Sequence, residues 1–178
     1  TCNLGKRSLT LNLKHPSAKE IIFKLTETSD AVVENFKPGT IEKLGFGYES
    51  LKSIKPDIVY ASISGYGQSG PRANLPAFDG AIQASSGMMA ISGHKETGPV
   101  RTGYFSVDMS TALNAAFAIS AALFRRHLTG EGQRIDVSML DSAAMMQAPQ
   151  ISNYLVSGEI PHLIGNQSPT KQPTVSKR

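Results

Sequence analysis

Tryptophan is absent from the 178 residues, and Cys2 is the whole thiol content. One thiol cannot close an internal disulfide or supply the paired thiolates of a zinc ribbon, so both scaffolds are excluded by count. A reducing compartment is expected. Excess charge is scarce too: 18 Lys and Arg against 14 Asp and Glu leave a net +4. The cations are scattered and do not interleave with Tyr and Phe, so a nucleic-acid surface is not expected, although a small anion such as a cofactor phosphate needs only a few placed cations. Long apolar runs are also missing. The longest, 112–124, ends in Arg125-Arg126 and is shorter than the roughly twenty residues of a membrane span. It reads as a buried helix, and no membrane association is expected. No basic segment followed by an apolar run opens the chain, so no secretory leader is read. The expected location is cytoplasmic, with the mitochondrion as the alternative in a eukaryote. His15, His94, His127 and His162 never fall three or four residues apart, which leaves no helical metal pair. A G-x-S-x-G nucleophile turn is lacking as well.

What remains is an ordinary globular composition, 40% hydrophobic with 16 Gly and 10 Pro, compatible with one domain around one core. Residues 8–13 alternate and are β-prone, and Pro16 with Ala18, Ile21, Ile22 and Leu25 gives helical spacing. A short apolar strand follows at 30–34, then helical turns marked by Ile41, Leu44, Tyr48, Leu51 and Ile54 and interrupted by Gly45 and Gly47. Residues 57–64, β-branched and aromatic between Pro56 and Gly65, form the clearest strand. Residues 65–76 read as a long loop and 78–91 as a small-residue helix. A strong helix over 107–127 should turn Leu113, Phe117, Ile119, Leu123 and Phe124 inward and stop at Thr129-Gly130. A strand at 133–139 and a helix over 140–156, kinked at Pro149, complete the pattern. Strands alternating with helices predict a parallel α/β sheet.

Two features carry chemistry. Gly65-Tyr66-Gly67-Gln68-Ser69-Gly70 matches a dinucleotide fingerprint directly after a strand. The context fails, because Pro71 follows at once and 72–76 has no helical periodicity to place a helix N-terminus under a pyrophosphate. Asp108 lies in the first turn of the strong apolar helix. It can simply complement the helix dipole, or it can serve as a covalent nucleophile, with the amides of the helix N-terminus keeping it ionised and oriented. The residues alone leave both readings open.

Several segments in register carry a resemblance. They are Lys6-Arg7-Ser8-Leu9-Thr10-Leu11-Asn12-Leu13-Lys14; Val33-Glu34-Asn35-Phe36-Lys37-Pro38-Gly39 with Leu44-Gly45; Ser62-Ile63-Ser64 running into the glycine segment and Pro71; and Asp108 ahead of Ala121-Ala122-Leu123 and Thr129-Gly130-Glu131-Gly132-Gln133. Together, over about residues 3–166, they resemble the class III coenzyme A transferases, the CaiB/BaiF-like group that includes formyl-CoA, carnitine-CoA and succinyl-CoA:dicarboxylate transferases. The resemblance implies an open parallel sheet of a Rossmann-like large domain, with the family's opening strand and small domain having no counterpart here. It implies a partial large domain over 1–160 and a linker or disordered tail over 161–178.

The resemblance also implies an enzyme that moves CoA between an acyl-CoA and a carboxylic acid through a covalent intermediate on Asp108, with no metal. CoA contacts carried over by motif are Leu11, Asn12, Leu13, Lys14, Asn35, Phe36, Lys37, Lys43, Pro76, Ala77, Phe78 and Asp79. Interlocked homodimers are the family's assembly, and a chain of this length is expected to have little activity alone. A non-catalytic interaction module is the alternative. An α-methylacyl-CoA racemase is disfavoured, because Phe78 stands where that motif carries a histidine proton-transfer group.

Overall fold

The protein is described here by a computed structural model covering residues 2–167. Three parallel strands, β1 (Ala31–Glu34), β2 (Val59–Ser64) and β5 (Gln133–Ser138), form a sheet in the order β1-β2-β5. Ala31 pairs with Val59, and Ser64 with Ser138. The central strand is covered on both faces, which explains why Val59, Tyr60, Ala61 and Ser62 are all fully buried.

On one face, helices α1 (Pro16–Glu27), α2 (Thr40–Lys43) and α3 (Tyr48–Ile54) accompany the first crossover. There the Tyr60 hydroxyl donates to the Phe46 carbonyl at 3.2 Å, and its ring meets Tyr48 edge-on at 5.9 Å. Burial pushes the Tyr60 hydroxyl well above its ordinary pKa. On the other face lies α6 (Ser106–Thr129), about 36 Å long at 1.5 Å per residue. Its last turn is tied to the amino ends of two strands: the Arg126 guanidinium meets Asp30 at 2.6 Å and Asp57 at 3.7 Å. Gly130, with φ 74°, ends the helix in the left-handed conformation. Since its C-terminus is fixed where the strands begin, α6 runs antiparallel to them and delivers its N-terminus to their carboxyl ends. A second core under that end joins Ile82 and Met88 to Val107, Met139 and Ala143.

The α/β architecture and the strands follow the sequence pattern, with four differences. The expected strand at 8–13 is irregular and largely exposed. Alternation fits a segment to a sheet face, but a strand's backbone groups need a paired neighbour, and none is present among the described residues. The expected helix over 78–91 divides into α4 (Asp79–Ser85) and α5 (Met88–Ile91) at Gly87, whose φ of 87° no continuing helix tolerates. A short hairpin, β3 (Gly93–His94) and β4 (Gly98–Pro99), follows it. The expected helix over 140–156 is two helices, α7 (Met139–Met146) and α8 (Ala148–Ser157). Pro149 is no kink inside a helix; it is the second residue of a new one, where its missing N–H is not needed. Within the expected tail, the Gly165 N–H donates to the Gly93 carbonyl at 2.9 Å; residues 168–178 lie outside the described residues.

The fourth difference concerns which side of α6 faces the core. Ala115 and Ala122 are buried against Val59, Ala61, Ile135 and Val137, with Ala118, Ile119 and Leu123 beside them. Leu113, Phe117 and Phe124 face outward, 68%, 77% and 67% exposed. Small side chains let the helix backbone sit close to the sheet, whereas the large ones do not fit there. By length and composition alone α6 would also cross a membrane, but a helix with one stripe packed on a sheet is a core helix. Ala122→Leu should therefore overpack this contact and lower stability by about 1–3 kcal/mol. Phe117→Ser should leave it within about 0.5 kcal/mol. Urea unfolding of the two variants checks the assignment.

Candidate active site

The carboxyl ends of β1 and β2 open into a cleft of about 620 Å³, the usual ligand position in an open parallel sheet. One wall follows β1. Buried Glu34 accepts the Phe36 N–H at 2.8 Å, which turns the chain and presents Phe36, Lys37 and Pro38 to the cleft. The Asn35 side-chain amide donates to the Ile63 carbonyl at 3.2 Å and ties the ends of β1 and β2 together. A second wall is the loop Ala73, Leu75, Pro76, Ala77 and Phe78. That loop lies against the end of β2 so closely that a Cβ on Gly65 would overlap the Cβ of Ala77. Gly67, φ 85°, and the Gln68 N–H, 2.9 Å from an Asp136 carboxylate oxygen, hold the glycine segment as a loop. After β2 the next helix begins only at Asp79, so the segment has no helix N-terminus for a dinucleotide pyrophosphate. Asp108, Thr111 and Ala112 of α6 form the third wall, with Met139 of α7 also lining the cleft. Phe36, Leu75 and Phe78 are 40%, 52% and 69% exposed and make an apolar rim.

At the root of the third wall the helix amides are already occupied. Asp79, 5% exposed, accepts the N–H of Val107 at 2.8 Å and that of Asp108 at 3.0 Å through one carboxylate oxygen. Its other oxygen accepts the side-chain amide of Gln83. That same amide donates to the Thr102 hydroxyl at 2.9 Å, while the Gln83 carbonyl accepts the Thr102 N–H at 2.9 Å. With its own hydrogen given to the Tyr104 carbonyl, the Thr102 oxygen can also accept from Ser106, 2.9 Å away. The buried Asp79 carboxylate therefore caps α6, and the Asp108 carboxylate is left on the cleft side.

This reverses one expectation. The amides of the helix N-terminus serve Asp79, and Asp108 is not stabilised by them. Partial desolvation, and secondarily the Asp79 charge, hold the Asp108 carboxyl above its ordinary pKa.

Of the residues singled out in the sequence, Asp108, Asn35, Phe36, Lys37, Pro76, Ala77 and Phe78 meet at the cleft. Asp79 is beneath it. Leu11, Asn12, Leu13, Lys14 and Lys43 do not line it; Asn12 receives the Lys14 N–H at 3.1 Å, and Lys43 is exposed at the end of α2. Sequence reasoning missed Thr111 and Ala112, although they lie three and four residues beyond Asp108 and so share its helix face. Ala73, Leu75 and Met139 carried no signal of their own.

The family described as CoA-transferase family III matches residues 1–176. A succinate–glutarate CoA-transferase of Agrobacterium fabrum is 40% identical over 171 residues, covering 96% of this chain and 43% of the relative. A succinyl-CoA:mesaconate CoA-transferase of Haloarcula marismortui is 42% identical over 175 residues, covering 96% and 44%. The solved structure of a CaiB/BaiF family protein from Brucella suis superposes with a TM-score of 0.89 at 39% identity, over 93% of this chain and 44% of that one. The chain thus spans less than half the length of these relatives.

Raising a carboxyl pKa on folding has a defined sign. The folded state then favours the protonated form, so Asp108 detracts from stability above the raised pKa and ceases to do so as pH falls through it toward the unfolded value. Asp108→Asn should therefore melt no lower than the parent chain at neutral pH, and any advantage should vanish on acidification. Thermal unfolding across pH checks this, and a variant less stable at neutral pH would show that the carboxylate supports the fold.

Proposed function

The chain belongs to CoA-transferase family III, and from that premise we propose that it moves CoA between an acyl-CoA and a carboxylic acid, with Asp108 as the covalent nucleophile. The observation that carries this reading is the Asp108 carboxylate on the wall of an apolar-rimmed cleft, without an ion pair among the described residues and with the helix amides taken by Asp79. A carboxylate with a raised pKa is the stronger nucleophile once ionised. In the proposed sequence an Asp108 oxygen attacks the thioester carbon, the C–S bond breaks, and CoA leaves as thiolate, giving a mixed anhydride. The thiolate attacks the Asp108 carbonyl of that anhydride and expels the donor acid as carboxylate, leaving an aspartyl-CoA thioester. The incoming acid's carboxylate attacks that thioester and releases the thiolate, which takes the new acyl group and frees Asp108. Charge and atoms balance without an oxidant or a reductant.

The cleft suits such a substrate. Phe36, Leu75 and Phe78 offer apolar cover to a pantetheine arm, and Lys37 offers a cation to a phosphate or to the acid. Succinyl-CoA and dicarboxylic acids are the first substrates to try, on the similarity to the two dicarboxylate enzymes. Phe78, exposed at the cleft edge, supplies no proton-transfer group, so racemisation at an α-carbon gains no support. The outward Leu113, Phe117 and Phe124 of α6 support the further reading that more protein, in a paired assembly, covers this face in the working enzyme.

Incubation with succinyl-CoA followed by intact-mass analysis tests the proposal. The chain is expected to gain a covalent acyl or CoA adduct that hydroxylamine removes and that Asp108→Asn does not form. An unlabelled chain beside a labelled full-length relative would overturn the assignment of catalysis to this chain as it stands.

A further inference from the structure

Two carboxylates lie close to the amides that open α6, and only one can hold them. Helix N-terminal N–H groups have no partner inside the helix and draw in the nearest acceptor. Asp108 is the third residue of α6, a position from which a carboxylate reaches back toward its own helix start. In this structure it does not, because Asp79 arrives from α4 and takes the N–H groups of Val107 and Asp108.

We infer that Asp79 is a positioning residue for Asp108: by occupying the amides at the start of α6, it keeps the Asp108 carboxylate off its own helix and turned to the cleft. The inference rests on the reading of Asp108 as nucleophile. Asp79 touches no substrate in this account and acts through Asp108.

The surrounding hydrogen bonds specify a charged group at position 79. One of its oxygens faces two backbone donors and the other faces the Gln83 amide, so both must accept. Gln83 cannot turn to present its carbonyl instead, since that carbonyl already receives the Thr102 N–H. An asparagine at 79 would therefore set a donor against a donor at one of the two sites. Exchanging the partners, Asp79→Asn with Gln83→Glu, restores the match once the Thr102 hydroxyl turns to donate to Glu: the Asn carbonyl accepts the α6 amides, its NH2 donates to Glu, and the Tyr104 carbonyl that loses the hydroxyl keeps the Ser106 N–H. The exchange keeps the cap and moves the charge one step away from α6.

The charged side chains on the elements packed against α6 are Asp79 of α4, Asp141 of α7, and Arg134 and Asp136 of β5. Lys37 lines the same cleft, and Arg101 approaches Gly80 beside Asp79. Among the described residues none of the cations forms an ion pair with Asp108.

The test follows the Asp108 side-chain carboxyl carbon by NMR against pH in the 178-residue chain, alongside the rate of labelling by succinyl-CoA. Asp79→Ala frees the amides, so the Asp108 carboxylate should turn back onto them. Its titration midpoint should fall below that of the parent chain, and labelling should slow by roughly tenfold to a hundredfold. In the exchanged pair the midpoint should fall less, and labelling should stay within a few-fold of the parent. If Asp79→Ala does not fold, Asp79→Ser, whose hydroxyl is too short to bridge, gives the same readout. A midpoint that stays put or rises in the folded variant would overturn the inference. The midpoint does not depend on catalysis, and loss of the Asp79 charge lowers it too. A midpoint that falls further in Asp79→Ala than in the equally uncharged Asp79→Asn, whose carbonyl can still accept the α6 amides, in a chain that succinyl-CoA never labels, would retain the positioning role and remove the nucleophile. Equal falls would overturn the positioning role.

Discussion

The capture of the first amides of α6 by the Asp79 carboxylate is the contact on which the rest of the site depends. It joins α4 to α6 across 28 residues of chain and, through Gln83 and Thr102, fixes the loop that leads into α6. It also decides the environment of Asp108. Without a buried acceptor at that point, the N–H groups of Val107 and Asp108 would be left unsatisfied at the cleft, and the Asp108 carboxylate would be the nearest group to answer them. With Asp79 in place, the helix N-terminus is neutralised from below and the Asp108 carboxylate is left on the open side, partly desolvated and repelled by its neighbour. The helix dipole thus holds the capping carboxylate, and the carboxylate proposed for chemistry is kept in a less comfortable state.

The opposite end of α6 explains why that geometry is stable. Arg126 ties the last turn to Asp30 and Asp57 where β1 and β2 begin, while Ala115 and Ala122 let the helix lie close against the sheet. A helix held along its length and at both ends presents a fixed first turn. The loop wall of the cleft is braced in the same manner, by backbone contact at Gly65 and by Asp136 under Gln68. Outside these contacts the helix shows large apolar side chains to its surroundings, consistent with a chain that spans less than half of its relatives.

Much of this was legible in the residues, and the exceptions have physical causes. Strands 59–64 and 133–138 announce themselves by β-branched side chains between glycine and proline signals, and α6 by its length and its Gly130 stop. The glycine fingerprint was rightly set aside, since proline and the lack of periodicity beyond it left no helix to receive a phosphate. The orientation of α6 was not legible, because apolar residues surround the whole helix and a period of 3.6 then marks no single face. The choice was made by side-chain size at the sheet contact, a tertiary property. Nor did the pattern distinguish Gly87 or Gln147 as places where a helix ends and another begins. Asp108 was found as a candidate, yet its relation to Asp79 was hidden, since a cap supplied from a distant helix leaves no local spacing to read. The cleft positions Ala73, Leu75 and Met139 are apolar residues of a loop and a helix start, and only the folded path of the chain brings them to the site.

The account stands or falls on who holds the α6 amides, and amide hydrogen exchange reads this directly. First-turn amides of a helix ordinarily exchange freely. Those of Val107 and Asp108 are expected to be protected for as long as the amides of β2 in the native chain, and to lose that protection in Asp79→Ala. Rapid exchange at both positions in the native chain, with β2 still protected, would contradict the account.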